Sequence, residues 1–261
     1  HNQPDGNTGE GALERNVAAV TVANSIAVAA GGGTLLGRQV VDDYTTFSGQ
    51  LTGSGALTVQ GLVTLNNTGN TYSGALTISN ATTSYLRLSA SEVLGNSATV
   101  NLAGSGTYLR LDGGVTETIG GLSSSGGEVF VASAGNGTLK FGGNDGSTSF
   151  SGALSNGGGQ LLLVKQGTGT FTFAPSTTTY TGLTVSKGTV LATNANGGAG
   201  PTVTLGDADT GAAAVAFLTT GNGAGRNITV SASGTGTATI GSTTGAGGSN
   251  VVFSGTSTLN R

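Results

Sequence analysis

"KQGTGTFTFAPSTTTYTGLTVSKGTVLA", Lys165 to Ala192, alternates apolar and small polar residues, breaks at glycines and passes through an aromatic-Thr-Gly triplet. Nearly the same wording stands earlier as "GSGALTVQGLVTLNNTGNTYSGALTIS", Gly53 to Ser79. Period-two alternation marks strands with one buried face. A short strand with its glycine turn cannot bury that face alone. Copies coiled one above the next can, so repetition of this kind implies stacking.

The same alternation appears in "AVTVANSIAVAA" (Ala19 to Ala30) and "NITVSA" (Asn227 to Ala232). No stretch carries a capped helical stripe. "ASEVLGNSA" (Ala90 to Ala98) is the nearest, and its shortness and glycine make it a turn. The recurring marker is an aromatic, then Ser or Thr, then Gly. It occurs at Phe47–Gly49, Tyr72–Gly74, Phe150–Gly152, Tyr180–Gly182 and Phe253–Gly255. Its spacing alternates short and long, 25, 78, 30 and 73 residues. The aromatics are expected to plug the interior or its corners, each glycine making the bend. A propeller blade needs a period of about 40 to 50 residues, and a sandwich needs fuller cores.

Composition points the same way. Of 261 residues 50 are glycine, none is Cys, Met or Trp, and 8% are charged, against about 25% in ordinary globular chains. Such a chain can fill only a narrow interior, yet 36% hydrophobic content and a net charge of −3 do not fit disorder. The expected fold is all-β, a right-handed parallel β-helix of about ten to twelve rungs, each ~20 to 26 residues. Residues 1–16 form a polar lead-in, flexible or part of a first rung. Residues 17–261 form one β-helix, with modules at about 17–88, 89–193 and a truncated 194–261.

The phrases "GSGALT…YSGALTIS" and "GTGTFTF…YTGLTVSKGTVLA", with "TIGGLSSSGG" at Thr118 to Gly127, resemble the autotransporter-associated β-strand repeat, also called the passenger-associated transport repeat. In that family a Gly-x-Gly-x-Leu strand leads through a loop to Tyr-[Ser/Thr]-Gly and a strand ending in Gly-Thr-Leu. Gly188-Thr189-Val190 matches that ending, whereas "SNATTSYLRL" (Ser79 to Leu88) replaces it in the first copy. The resemblance covers most of the chain from about Val17. It implies a secreted or outer-surface bacterial protein with a β-helical stalk, serving as scaffold in adhesins and fibres.

Reactive chemistry is sparse. The one histidine is His1 and there is no cysteine, so nucleophilic triads and the usual zinc ligands lack their residues. Asp42, Asp43, Asp112, Glu117, Glu128 and Asp145 are scattered carboxylates, read as turn or surface groups rather than an acid–base pair. No catalytic residue and no cofactor is expected. Asp207 and Asp209, two apart in "GDADTG", are weak calcium candidates and are read first as turn residues. Lys140, Lys165 and Lys187 are expected to be ordinary solvated lysines rather than isopeptide crosslinks. Nine basic residues without a patch argue against nucleic acid. No 20-residue apolar run inserts this segment in a membrane. Thr-x-Thr runs are too irregularly spaced in sequence to suggest an ice-binding face.

Three functions follow in order. The first is a structural stalk on the bacterial outer surface or outside the cell. Its partners would be copies of itself or adjacent β-helical segments, stacked or joined by a donated strand such as Val251 to Asn260. The second is a glycan- or host-surface-binding module. Its contact residues would be Tyr85, Arg87, Tyr108 and Arg110, in the near-identical pentads "SYLRL" and "TYLRL", with Tyr44 nearby. The third is a polysaccharide-cleaving β-helix.

Overall fold

The computed structural model describes residues 19–39, 43–174, 178–193, 202–220, 227–243 and 257–259. The lead-in 1–16, Asp42, the marker at Phe253 and Gly255, and most of the 251–260 segment lie outside the described residues. The chain winds as a right-handed parallel β-solenoid with three faces. Every strand-to-strand pairing between the described strands is parallel. The strands keep one cyclic order of faces, although among the described residues face one has no strand between Gly53 and Thr116 and face three none after Ser155.

Face one begins with Ile26–Val28 and Leu51–Gly53 and resumes at Thr116–Ile119. It continues through Asn136–Phe141, Gln160–Lys165, Gly182–Val185, Thr202–Leu205, Ile228–Val230 and Ser257–Leu259. Face two is one ten-stranded sheet running from Gly33–Leu36 to Ala238–Ser242. Its successive strands begin as little as 18 residues apart (Leu57 to Ala75) and as much as 27 (Gly121 to Thr148). Face three carries Thr21–Val22, Thr45–Phe47, Leu62–Leu65, Ser84–Leu88, Thr107–Leu111, Glu128–Val131 and Ala153–Ser155.

Alternation decides what each strand buries. On face three Val63, Leu86, Leu109, Val129 and Leu154 form one inward column by register, and all five are fully buried. Toward the C-terminal half the interior carries an aromatic string. Phe171 lies 4.6 Å from Phe141, 5.9 Å from Phe173 and 6.3 Å from Phe150 between ring centroids, and Tyr180 continues the string 5.9 Å from Phe173. Elsewhere mainly Leu, Val and Ile fill the interior, so the core runs as one thread along the coil.

Face one is irregular between Gly53 and Thr116, where polar side chains replace main-chain ladder bonds. The Leu51 amide donates to Asn70 Oδ1 (2.6 Å), and Asn70 Nδ2 donates to the Val93 carbonyl (2.7 Å). The Val93 and Leu94 amides then donate to the two carboxylate oxygens of Glu117 (2.9 and 2.8 Å). Buried amides need such partners, and these two side chains let the turn at 90–98 interrupt the strand without orphaning them.

The markers sit where the chain needs a close approach between rungs. Tyr72, Phe150 and Tyr180 are buried and Phe47 is half-buried against the core. The Tyr72 hydroxyl reaches the Gly55 and Ala75 carbonyls, each at 2.9 Å. None of Gly49, Gly74, Gly152 and Gly182 is among the glycines with a positive φ. A Cβ at Gly74 would stand 2.5 Å from the Gly55 carbonyl oxygen, and at Gly49 1.9 Å from that of Asn24. Steric contact with the rung below, rather than a left-handed bend, requires glycine there. Gly182 differs, since a Cβ would make only ordinary contact with Leu162 at 3.6 Å. The markers occupy different corners: Gly49 follows a face-three strand, Gly74 precedes a face-two strand and Gly152 follows one. Gly74→Ala should therefore cost about 1 to 3 kcal/mol, read by chemical denaturation. Gly143→Ala, where a Cβ meets nothing within 4 Å, should change stability by less than about 0.5 kcal/mol.

Candidate functional site

The two pentads stack in perfect register, Tyr85 opposite Tyr108 and Arg87 opposite Arg110. Leu86, Leu88, Leu109 and Leu111 point inward and are fully buried, which drives the tyrosines and arginines outward together on face three. The Tyr85 and Tyr108 rings stack at 4.2 Å and 9°. Phe130, from the next strand of that face, stands edge-on to both at 6.4 and 6.3 Å, and Tyr44 stands edge-on to Tyr85 at 6.2 Å. Burial, then the neighbouring Tyr108, Tyr44 and Glu128, raises the Tyr85 pKa.

The charges are arranged unequally. Arg87 holds Asp112 in a fork, Nε at 3.0 and 3.1 Å and Nη2 at 2.6 Å. That hydrogen bonding raises the arginine's pKa despite its burial. Arg110 stands 3.6 Å from the same carboxylate and donates from Nη1 to the Tyr44 hydroxyl (3.2 Å), while its buried Nε has no hydrogen-bond partner. Both guanidinium groups lie over the Tyr44 ring, at 5.7 and 5.5 Å. Asp43 is taken up by Arg38 at 2.9 Å. Beside the cluster opens a cleft of about 430 Å³ lined by Gln39, Tyr44, Leu62, Thr83, Tyr85, Arg110 and Phe130.

All four contact candidates and Tyr44 thus come together. Phe130 and Asp112 complete the cluster without having been singled out as contacts. Strand counting could have found Phe130, because "EVFV" places Glu128 opposite Tyr108 and Phe130 opposite Arg110.

Asp207 and Asp209 do not converge on an open site. Asp207 Oδ1 accepts from the Ser186 hydroxyl (2.5 Å) and from the Asp209 amide (3.0 Å), closing its own turn. Asp209 lines a separate cleft of about 520 Å³ with Asp145, Lys187 and Ser186. Among the described residues no three His, Cys, Asp or Glu gather as a metal site.

Two ionisable groups point inward. Alternation puts Glu117 in one face-one column with Leu139, Leu163 and Leu183, and Lys165 in another with Phe141 and Val185. Burial pushes the Glu117 carboxyl up to about 8, against the lowering effect of the two amides it accepts from. Burial pushes Lys165 down to about 8, partly offset by Asp145. The expectation of a solvated Lys165 is corrected here: its residue is 1% exposed. Its Nζ donates to the Gln166, Gly167 and Lys187 carbonyls at 2.6, 2.8 and 3.3 Å. The inward position is forced by "LLLVK", in which Leu161, Leu163 and Lys165 share a side.

The face-two exterior shows an order that spacing along the chain does not. Thr-x-Thr spacing is irregular in sequence, yet Thr34, Thr58, Thr77, Asn101 and Ser123 share one outward column. Ser149 and Thr172 carry the column on before it turns apolar at Leu191. Loops of unequal length absorb the irregularity.

No known family model matches the chain, and no curated protein is significantly similar to it. The all-parallel repetitive solenoid is consistent with repeat-fibre families in general.

Proposed function

We propose that the chain is a rigid, non-enzymatic spacer segment of a bacterial outer-surface or extracellular fibre, of the autotransporter passenger-repeat kind. The observation that supports this is the unbroken ten-strand parallel sheet of face two. Each rung contacts its neighbours, so the stack extends along one axis and its length is set by rung number. One outward column of that sheet is Thr, Ser and Asn from Thr34 to Thr172, which suits a shaft that projects something else. Its partners are further rungs, from copies of itself or from adjacent segments of a longer chain. Among the described residues no helix is long and apolar enough to cross a membrane.

Antibody labelling of intact cells of the source organism, with electron microscopy of the purified native material, tests the reading. Surface label and elongated particles or fibres are expected. Label seen only after lysis, or compact spherical particles, would sink it.

A further inference from the structure

We infer that the cleft beside the tyrosine stack binds a sugar unit carrying a carboxylate, as in a uronic-acid-containing glycan, on the side of the shaft. This goes beyond the spacer role, which needs no ligand and no cleft. Four features point to an acidic saccharide. The cleft, at about 430 Å³, falls within the range of small-ligand sites, ~300 to 1,000 Å³. Its lining combines the aromatic residues Tyr44, Tyr85 and Phe130 and the apolar Leu62 with the polar Thr83 and Gln39. That mixture suits a pyranose, which has apolar C–H faces and a rim of hydroxyls.

The third feature is charge. Arg110 is the one charged side chain lining the cleft among the described residues. Asp112 is already engaged by Arg87 through two nitrogens, and Arg110 reaches it only at 3.6 Å. Glu128, one strand further along, accepts from the Ser155 hydroxyl and does not line the cleft. Arg110 is therefore the less compensated of two adjacent guanidinium groups, and a carboxylate is the planar partner that a guanidinium fork fits.

The fourth feature is pre-organisation. The Tyr85–Tyr108 stack, the Phe130 edge contacts and the Arg110–Tyr44 bond hold the walls before any ligand arrives. A rigid site loses little side-chain freedom on binding.

Titration of the purified protein with a galacturonate oligosaccharide, followed by ligand-observed NMR and calorimetry, tests the proposal. The methyl-esterified form of the same oligosaccharide is the neutral control. Saturable binding of the acid form is expected, with the ester weaker by about tenfold or more, the scale of a lost charge-assisted hydrogen bond. Arg110→Gln should remove that preference and Thr83→Ala, at an exposed position, should weaken both forms. Circular dichroism checks that each variant is folded. No binding of the acid form by the wild-type protein, or equal binding of acid and ester, would overturn the proposal. So would an unchanged preference in folded Arg110→Gln; if that variant does not fold, the acid–ester comparison on wild type decides alone.

Discussion

Unfolding free energy is expected to fall by about 4 kcal/mol between pH 4.5 and pH 8 through Glu117 alone. Its carboxyl moves from an ordinary 4.5 to about 8 in the folded chain. The folded state therefore holds a proton that the unfolded state has released over that range. This stabilising contribution is fully present below pH 4.5 and is lost as pH rises through 8. Glu117→Gln carries no titratable group, so the difference between wild type and variant isolates the effect from every surface carboxylate. Urea titrations at several pH values should show the wild-type unfolding free energy falling relative to the variant by that amount. Parallel curves would contradict the inward placement of Glu117. Lys165 acts in the opposite window. Its folded value of about 8 lies below the ordinary 10.5, so its contribution is present above pH 10.5 and is lost as pH falls through 8. The two groups together place a stability minimum near pH 8.

Phe171→Ala should cost about 3 to 5 kcal/mol, the range for emptying a buried aromatic site. The residue is 1% exposed and its ring meets Phe141, Phe150 and Phe173. The thread-like core leaves few other side chains able to collapse into the gap. Denaturant unfolding of the variant measures the loss directly. A cost below about 1 kcal/mol would mean that the aromatic string does not carry the C-terminal half.

The fold was legible because alternation and glycine turns survive translation into rungs almost unchanged. "TYLRL" reads as two inward leucines and two outward functional groups, and the strand shows that. The stacking of its tyrosine on the one in "SYLRL" was less legible, because register depends on loop lengths between strands. The same reason hid the face-two hydroxyl column, whose members are separated by loops of different size. Glu117 and Lys165 were misjudged for a different cause. A charged residue alone looks solvated, and only its position in "TETI" or "LLLVK" shows that alternation drags it inside. The glycines of the markers at 49, 74 and 152 were visible but their reason was not, since the carbonyl each must clear belongs to a residue 19 to 25 positions earlier.

Distances between spin labels on the outward column of face two test the solenoid most directly. The chain has no cysteine, so paired cysteine substitutions label cleanly. Thr34→Cys with Ser123→Cys spans four rungs, and Thr34→Cys with Thr172→Cys spans six. At about 4.8 Å per rung the backbone separations should be ~19 and ~29 Å. Pulsed electron paramagnetic resonance should give narrow distributions whose means differ by ~10 Å. Broad distributions, or a second distance no longer than the first, would contradict a stacked parallel coil.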